Sequence, residues 1–360
     1  MSNDQKIILL RETFPWMGSH SGYDLICDYI NNNEEINSIQ LVKIAKKPGT
    51  ILKTLYLYLE RNIKKSVTYS AESFLAELEI VKKNIIFRTD IVHLIYVERM
   101  LGVLAKFPEF LRGKIVGTVH QPMNLWLKGR HNPEMVKQLE ALIVLSHKEK
   151  DFFEKFIPGN VHFIRHGVDT DFFCPTTGQE EKQKIQRPRC LFSGIWLRDI
   201  GTLHGVVERV LQRNSGIHFD LLIPIDRRDE PHFEKLKKYS QVHWHAGLTD
   251  EELRELYRSA SLLLLPLHDC TANNALLEGV SCGLPVVSND VGGVPDYTEP
   301  DFADLFPIGD AESMSEAVLA IVDDFELRQE RGLKARAYAK SCLDWKHIAQ
   351  ETVHVYEEFL

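Results

Sequence analysis

Residues Leu262–Pro295 have the sequence LLLLPLHDCTANNALLEGVSCGLPVVSNDVGGVP, and this stretch decides the fold class. Four leucines have the length and composition of a buried strand, and a polar loop follows them. A helical segment then ends at Gly283, before a second apolar run. Two buried strands joined by a helix predict a parallel β-α-β unit with both faces of its sheet covered.

The same alternation extends in both directions. The predicted strands are Lys6–Leu10, Ile39–Ile44, Ile91–Ile95, Ile115–Val119, Ala141–Leu145, Val161–Ile164, Arg189–Ser193, His218–Ile223, Val242–Ala246, Leu262–Leu265, Pro285–Ser288 and Ala303–Phe306. Between the first six and the last six lies Pro175–Pro188, a polar stretch with a proline at each end, which is typical of a linker.

We therefore expect an α/β protein with two Rossmann-like, doubly wound domains that face a central cleft. The predicted limits are 1–176 for an amino-terminal domain and 177–340 for a carboxyl-terminal domain. A terminal helix at 341–360 is predicted to pack back on the first domain.

The composition is that of a globular protein rather than a disordered, collagen-like or coiled-coil chain, since 44% of the 360 residues are hydrophobic and 26% are charged. No apolar run approaches the roughly 18 residues of a membrane-spanning helix, and the first residues do not resemble a signal peptide. Six scattered cysteines without a CxxC pair favour reduced thiols. We expect a cytoplasmic protein, and a net charge of −8 argues against a nucleic-acid partner.

One stretch departs from this acidic balance. From Lys43 to Lys65, seven basic residues accompany a single acid, Glu60, and apolar residues recur at helical spacing. An amphipathic helix with a basic face binds anionic lipid heads, so this stretch predicts peripheral contact with the inner face of the membrane. An ordinary solvated helix face explains the pattern equally well.

The helix within Leu262–Pro295 begins near two natural N-caps, Thr271 and Asn273. A cap at either residue leaves the amides of Asn274 and Ala275 without intrahelical partners. Such amides at a helix amino terminus bind anions, and a diphosphate is one example.

Glu278 follows one turn later on the same face of that helix. A carboxylate in this position can accept hydrogen bonds from both hydroxyls of a ribose. A capped helix with a solvated glutamate is the alternative interpretation.

The stretch 262–295 resembles the donor-binding segment of the family 4 glycosyltransferases, retaining enzymes of the GT-B fold that are also called glycosyl transferases group 1. Further motifs that support the resemblance are LIVLS at 142–146, RHGVDTDFF at 165–173, DEELRELYRSA at 250–260 and the closing helix Trp345–Tyr356. The likeness covers nearly all of the second half and the end of the first half, and it is thin before about residue 110.

The resemblance implies roles for individual residues. Glu278 would hold the donor's ribose, and Gly247 would lie near its base. The amides of Asn274 and Ala275 would hold the donor phosphates. His120, at the end of a predicted strand in TVHQP, resembles the family's histidine beside the reacting sugar. The nucleotide sugar is then a substrate, and neither a cofactor nor a metal is expected.

The sequence departs from the family pattern at the first of two paired acids. These acids are eight residues apart in the family, and eight residues before Glu278 is Cys270. Asp269 is one place away. The acid that touches the donor sugar in the family is therefore missing or displaced here.

A second departure concerns the family's Gly-Arg…Lys-Gly phosphate clamp. It would fall on Gly194–Gly201 (GIWLRDIG), where isoleucines replace both cations and Gly194 is kept. Arg198 is the nearest charge, and we predict that it takes their role, because a departing diphosphate needs a fixed cation where no metal binds it. An ion pair between Arg198 and Asp199, or a surface position, is the alternative.

In the first predicted domain, Gly18–Tyr23 (GSHSGY) follows a strand and opens a helix. Its small residues and free amides are expected to face the cleft, so Gly18, Ser21 and Gly22 are predicted donor contacts. The pattern is neither GxGxxG nor a Walker loop, which disfavours a nicotinamide or ATP site.

Two further features of the sequence could carry chemistry. His93 and His131 are weaker candidates on the acceptor side, since a lone histidine is more often structural. Asp169-Thr170-Asp171 matches the DxD that holds Mn²⁺ in the other glycosyltransferase fold, but it directly precedes a linker and a second sheet. We expect a turn at Asp169 and no metal site.

These features and the resemblance predict a metal-independent hexosyltransferase whose first domain binds the acceptor and whose second domain binds the nucleotide sugar. The resemblance implies that the enzyme retains the configuration of the transferred sugar. The enzyme would transfer a sugar from a UDP- or GDP-sugar to a glycan, a lipid-linked acceptor or a small-molecule acceptor. Two alternatives stay open: a non-catalytic protein that binds nucleotide sugars, because an acid and two cations are missing, and a GT-B epimerase or hydrolase of sugar nucleotides, which would need further acids.

Overall fold

The computed structural model describes residues 6–14, 17–32, 38–43, 49–60, 67–176 and 188–360. By its contacts the chain divides into two compact units. The limits of the first unit are Met1–Met17, Gly22–His166 and Trp345–Leu360, and those of the second unit are Gly18–Ser21 and Gly167–Asp344. Much of the basic stretch Lys43–Lys65, namely 44–48 and 61–65, lies outside the described residues.

The strands are short and follow the apolar runs of the sequence. They are β1 Lys6–Arg11, β2 Ser38–Lys43, β3 Ile91–Leu94, β4 Lys114–Val119, β5 Ala141–Val144, β6 Val161–Phe163, β7 Arg189–Ser193, β8 His218–Leu222, β9 Val242–His245, β10 Leu262–Leu265, β11 Val286–Asn289 and β12 Ala303–Phe306.

Helices alternate with these strands. They are α1 Ile26–Asn31, α2 Thr50–Glu60, α3 Ala71–Phe87, α4 Val97–Met100, α5 Val103–Lys106, α6 Met123–Leu127, α7 His147–Phe153, α8 Ile200–Arg213, α9 Pro231–Leu236, α10 Asp250–Ser259, α11 Asn274–Ser281, α12 Ala311–Asp323, α13 Phe325–Tyr338 and α14 Trp345–Glu357.

The first unit contains a sheet of order β2-β1-β3-β4-β5-β6 in which every pair is parallel. Helix α14, at the end of the chain, belongs to this unit. Its Tyr356 hydroxyl lies 2.6 Å from Nδ1 of His93 in β3, so a buried hydrogen bond ties the helix to the sheet.

The second unit contains a parallel sheet of order β12-β11-β10-β7-β8-β9. Because β7 is the first strand of this unit, its order is that of a dinucleotide-binding fold, with a switch point between β7 and β10. Ligands of such sheets bind outside the carboxyl ends of the strands at the switch point. In this fold the expected ligand site is therefore formed by the residues that follow Ser193 and Leu265.

The run Leu262–Leu265 shows why the second sheet is covered on both faces. Leu263 and Leu265 are buried in one apolar cluster, whereas Leu262 and Leu264 are buried in another. Successive side chains of a strand point to opposite faces, so a strand between two helical layers must be apolar throughout. The predicted α/β class with two parallel sheets is confirmed.

The limits of the units differ from the predicted 1–176, 177–340 and 341–360 in detail. The change of unit falls at Gly167, because Phe173 is fully buried in the core of the second unit and Val168 bridges to Asp344. Most of the predicted linker Pro175–Pro188, namely 177–187, lies outside the described residues. No helix in the described ranges is both long enough and apolar enough to cross a lipid bilayer.

Candidate functional site

Two loops pair with each other where β7 and β10 end. Arg198 forms an isolated antiparallel bridge with Leu267, and the amide of His268 donates to the carbonyl of Leu197 at 2.9 Å. Leu197 has a φ of +56°, which a branched side chain rarely adopts. The pairing fixes the loop after β7 next to the loop that leads into helix α11.

Arg198 is half-buried, and its guanidinium contacts only neutral oxygen atoms in the described parts of the chain. It donates to the carbonyls of Ser193 and Trp196 at 2.9 and 3.1 Å, and to Oδ1 of Asn273 at 3.2 Å. Burial lowers the pKa of the guanidinium to about 10, so it is charged at neutral pH. The alternative ion pair with Asp199 is not formed, because that carboxylate caps helix α8.

Helix α11 begins at Asn273, one of the two predicted caps, whose Oδ1 accepts from the amide of Leu276 at 3.4 Å. The amides of Asn274 and Ala275 have no acceptor among the residues that the structure describes. Because Asn273 Oδ1 also accepts from Arg198, the cation lies beside these two amides. A cation and free amides in this arrangement have the chemistry to bind an anion.

Two predicted glycines follow strands of the second sheet, and both have a positive φ. Gly194 follows β7 with a φ of +86°, and a Cβ there would lie 3.0 Å from Nη2 of Arg198. Gly247 follows β9 with a φ of +63°, and the space around it is open. The backbone favours glycine at both positions, and the guanidinium adds a steric reason at Gly194.

Glu278 is buried rather than solvated. One carboxylate oxygen accepts from the hydroxyl of Ser21 at 2.6 Å, and the other accepts from the hydroxyl of Tyr257 at 2.7 Å. Burial raises the pKa of Glu278 to about 7, although both hydrogen bonds act in the opposite direction. A carboxylate has about four acceptor positions, so two remain for other hydroxyls.

The loop before α11 has a cysteine at the position of the family's first acid. Cys270 is buried, and its carbonyl accepts from the amide of Gly293 at 2.9 Å. Asp269 is also buried and accepts from the amide of Cys270 at 3.0 Å. Thr271 is buried as well and does not cap the helix. The acid of this loop is therefore Asp269, one residue from the family's position.

The segment Gly18–Ser21, which belongs to the second unit, differs from its prediction. Asp250 accepts hydrogen bonds from the amide and the hydroxyl of Ser19, at 2.7 and 2.6 Å. A Cβ on Gly18 would lie 1.6 Å from the same carboxylate. The expectation of free amides is therefore wrong at Ser19, and Gly18 is small because it admits Asp250. Gly22, with a φ of +102°, belongs to the first unit.

Asp169 of the DxD sequence makes the expected turn, since its Oδ1 accepts from the amide of Phe172 at 3.0 Å. Its Oδ2 lies 2.6 Å from Nδ1 of His20, whose ring stacks on Phe172 at 3.7 Å. Within the described ranges, no group of three or more His, Cys, Asp or Glu side chains is arranged to hold a metal ion.

His120 follows β4 in the first unit. Its Nε2 lies 2.8 Å from the carbonyl of Ile95, so this nitrogen carries the proton. Burial lowers the pKa of His120 to about 3, and the ring is therefore neutral at physiological pH. Glu98 accepts from the amides of His120 and Gln121 at 2.6 and 2.7 Å, which fixes the loop.

The other two histidines are structural. His93 is fully buried, with Nδ1 beside Tyr356 and Nε2 2.8 Å from the hydroxyl of Thr118. His131 is buried against the ring of Trp126. Their interpretation as acceptor contacts is wrong, because the protein core surrounds both rings.

The site includes two residues that sequence reasoning missed. Tyr257 and Asp250 lie on helix α10, whose apolar positions indicate only a packed helix. One signal was available, because the hydroxyl of a buried tyrosine needs a hydrogen-bond partner. Nothing in the local pattern identifies Glu278 as that partner.

Two Rossmann-like units, each with a parallel sheet, define the GT-B fold, and solved structures match nearly the whole chain. Sucrose-phosphate synthase from Thermosynechococcus elongatus matches 98% of this chain and 99% of its own, with a TM-score of 0.74 at 15% identity. HepE from Anabaena, solved in complex with UDP and glucose, matches 98% of this chain and 100% of its own, with a TM-score of 0.72 at 14% identity. The expected GT-B fold is confirmed.

Residues 188–324 match the model of a family described as glycosyl transferases group 1, which confirms the resemblance in the second unit. Over these residues the second unit is therefore similar to the group 1 glycosyl transferases. The MMP alpha-(1->4)-mannosyltransferase of Mycolicibacterium hassiacum is 25% identical over 224 residues, which are 61% of this chain and 54% of that protein. The chain therefore spans about half the length of this curated relative.

Proposed function

We propose that the protein is a retaining hexosyltransferase whose second unit binds a nucleotide-diphosphate sugar. The observation that carries this proposal is the position of Arg198 at the switch point of the sheet. The guanidinium shares the amide oxygen of Asn273 with the start of helix α11. A cation and unpaired amides at this edge favour a diphosphate.

These groups would act on the step in which the glycosidic bond breaks. Negative charge then grows on the leaving diphosphate, and donors held in place beforehand stabilise it without reorganisation. Each such donor contributes about 3 kcal/mol to transition-state stabilisation. Arg198 and the amides of Asn274 and Ala275 would serve the purpose that a metal serves elsewhere, so we expect turnover to persist in EDTA.

Glu278 would hold the ribose of the donor. Its two oxygens already accept from Ser21 and Tyr257, which fixes the carboxylate in one orientation. The remaining acceptor positions suit the two ribose hydroxyls. Gly247, with open space around it, would lie near the base.

The proposed reaction retains the configuration of the sugar. The bond between the anomeric carbon and the diphosphate oxygen breaks, and the acceptor oxygen bonds to the same face of that carbon. The acceptor proton passes to the leaving diphosphate. His120, as a neutral imidazole, would contact the sugar by hydrogen bonding rather than as a cationic acid.

The proposed acceptors are glycans, small molecules and lipid-linked sugars. Helix α2 supports a lipid-linked acceptor, because Leu57 and Tyr58 are 52% and 74% exposed and Lys53 is exposed on the same helix. Salt-sensitive sedimentation with phosphatidylserine vesicles, and none with phosphatidylcholine vesicles, is the expected result. Equal sedimentation with both kinds of vesicle would contradict membrane contact through the basic stretch Lys43–Lys65.

A panel of UDP, GDP, ADP and dTDP tests the donor class, since a ligand that binds only the native state raises its melting temperature. We expect one or two nucleotides to stabilise the protein, and the matching sugar nucleotide to be consumed when an acceptor is added. Binding without turnover would indicate a nucleotide-sugar-binding protein. Consumption without an acceptor would indicate a hydrolase or an epimerase.

A further inference from the structure

A cavity of about 270 Å³ lies in the second unit at the amino-terminal ends of β10 and β11. Ala260 and Ser261, which precede β10, form one wall, and the turn Cys282–Pro285 before β11 forms another. Helix α13 covers them. Because Arg198 and the start of α11 follow the carboxyl ends of the strands, this cavity is separate from the candidate donor site.

The walls of the cavity are held by contact between two backbones. Gly283 has a φ of +76°, and a Cβ on Gly332 of helix α13 would lie 2.6 Å from the Gly283 carbonyl. This close approach fixes α13 against the turn before β11.

The charged side chains that line the cavity are two arginines, and no described lining residue is acidic. Arg328 is only 9% exposed. Its guanidinium donates to the carbonyl of Val322 at 3.0 Å and lies 5.4 Å from the ring centre of Phe325. Within the described residues it forms no ion pair, although a buried charge is normally compensated by a partner.

Two more polar groups of the cavity suit a negatively charged ligand. The hydroxyl of Thr176, on the cavity wall, is buried and has no hydrogen-bond partner among the residues that the structure describes. The guanidinium of Arg336 donates to the carbonyls of Thr170, Phe173 and Ser281, so its charge faces carbonyl oxygens rather than a carboxylate. The cavity thus combines two cations with an unused hydroxyl.

We propose that this cavity binds a small organic oxyanion, with its carboxylate or phosphate group at Arg328 and Thr176. The rest of the wall is largely apolar, with Leu284, Pro285 and Leu333, and it suits a compact apolar body. The volume lies just below the usual range for ligand sites, so the ligand is smaller than a nucleotide.

Calorimetric titration of the full chain with benzoate and with phenyl phosphate tests this proposal. Saturating amounts of the nucleotide that stabilises the protein are present, so that the donor site is occupied. We expect saturable binding of at least one probe, and the tighter probe identifies the head group. The titration is then repeated without the nucleotide. No saturable binding of either probe, or binding seen only without the nucleotide, would overturn the proposal.

Arg328→Met should weaken binding of the tighter probe at least about tenfold, because a hydrogen bond to a charged group is lost. Thr176→Val should weaken it severalfold. Arg331→Met is the matched control, because Arg331 lies on the same helix but pairs with Asp304 at 2.5 Å, and affinity should not change. Equal affinity in wild type and Arg328→Met contradicts the proposal.

Arg328→Met should also melt no lower than wild type without a probe, and a lower melting temperature would assign Arg328 a structural role.

Discussion

The hydroxyl of Tyr257 donates a 2.7 Å hydrogen bond to the carboxylate of Glu278, and both side chains are buried in the second unit. Helix α10 thereby holds the carboxylate that we propose binds the ribose. Since burial raises the pKa of Glu278 to about 7, its charge at neutral pH depends on such donors.

Tyr257→Phe should weaken nucleotide binding about fivefold to tenfold, because the ionised carboxylate loses a donor that stabilises and orients it. Calorimetric titration with the nucleotide that stabilises the protein measures the change. Tyr239→Phe is the matched control, since its hydroxyl donates to Glu208 at 3.2 Å elsewhere in the same unit. Equal affinities for the two variants would show that Tyr257 does not act on the site.

Binding of the sugar nucleotide should weaken as the pH falls below about 7, because the protonated Glu278 accepts fewer hydroxyls. A sugar nucleotide is the suitable ligand, since its diphosphate does not titrate in this range. The hydrogen bond from Ser21 lowers the pKa of Glu278, so Ser21→Ala should move the midpoint to higher pH. The Glu278→Gln variant should bind the sugar nucleotide weakly at every pH. If the affinity of the wild-type protein does not change between pH 8 and 5.5, Glu278 does not bind the ribose.

His93→Leu should destabilise the first unit by about 2–4 kcal/mol, because it leaves the hydroxyls of Thr118 and Tyr356 unpaired in the core. Urea unfolding measures the change. His354→Leu, an exposed change on helix α14, which also carries Tyr356, is the control and should have little effect. Similar unfolding midpoints for the two variants would contradict the structural role of His93.

The same histidine should make the first unit sensitive to acid. Burial lowers the pKa of His93 from 6.5 to about 3, so the unfolded chain binds this proton first. The contribution of a neutral His93 to stability is therefore complete above pH 6.5 and is lost as the pH falls from 6.5 toward 3. His93→Leu should show a shallower loss of stability over that interval than wild type, and an equal slope would assign the acid sensitivity to other groups.

Local pattern was sufficient for the strands and for the start of helix α11. Arg189–Ser193, Leu262–Leu265 and Ala303–Phe306 occur with the predicted bounds. For Leu262–Leu265 the reason is that a strand buried on both faces must be a short apolar run. Asn273 was one of two candidate caps, since its side chain can accept from the helix amides. Periodicity and capping are properties of neighbouring residues, and the sequence states them directly.

The contacts that shape the site join distant residues. Ser19 and Asp250 are 231 positions apart, and Tyr257 and Glu278 are 21 apart on different helices. Which acid meets which hydroxyl depends on the strand order of the second sheet, and no local pattern records that order. The sequence therefore indicated Glu278 and Arg198 as candidates but not the partners that orient them.

Turnover of Arg198→Met tests the central claim most directly, with Arg213→Met as the control because Arg213 pairs with Glu316 on the surface of the same unit. We measure kcat with a sugar nucleotide whose base is the one that stabilises the protein in the nucleotide panel, and with an acceptor that the wild-type protein uses. A fixed cation at the leaving diphosphate predicts that Arg198→Met lowers kcat at least about tenfold while Arg213→Met leaves it unchanged. Unchanged kcat in a folded Arg198→Met variant would contradict the account.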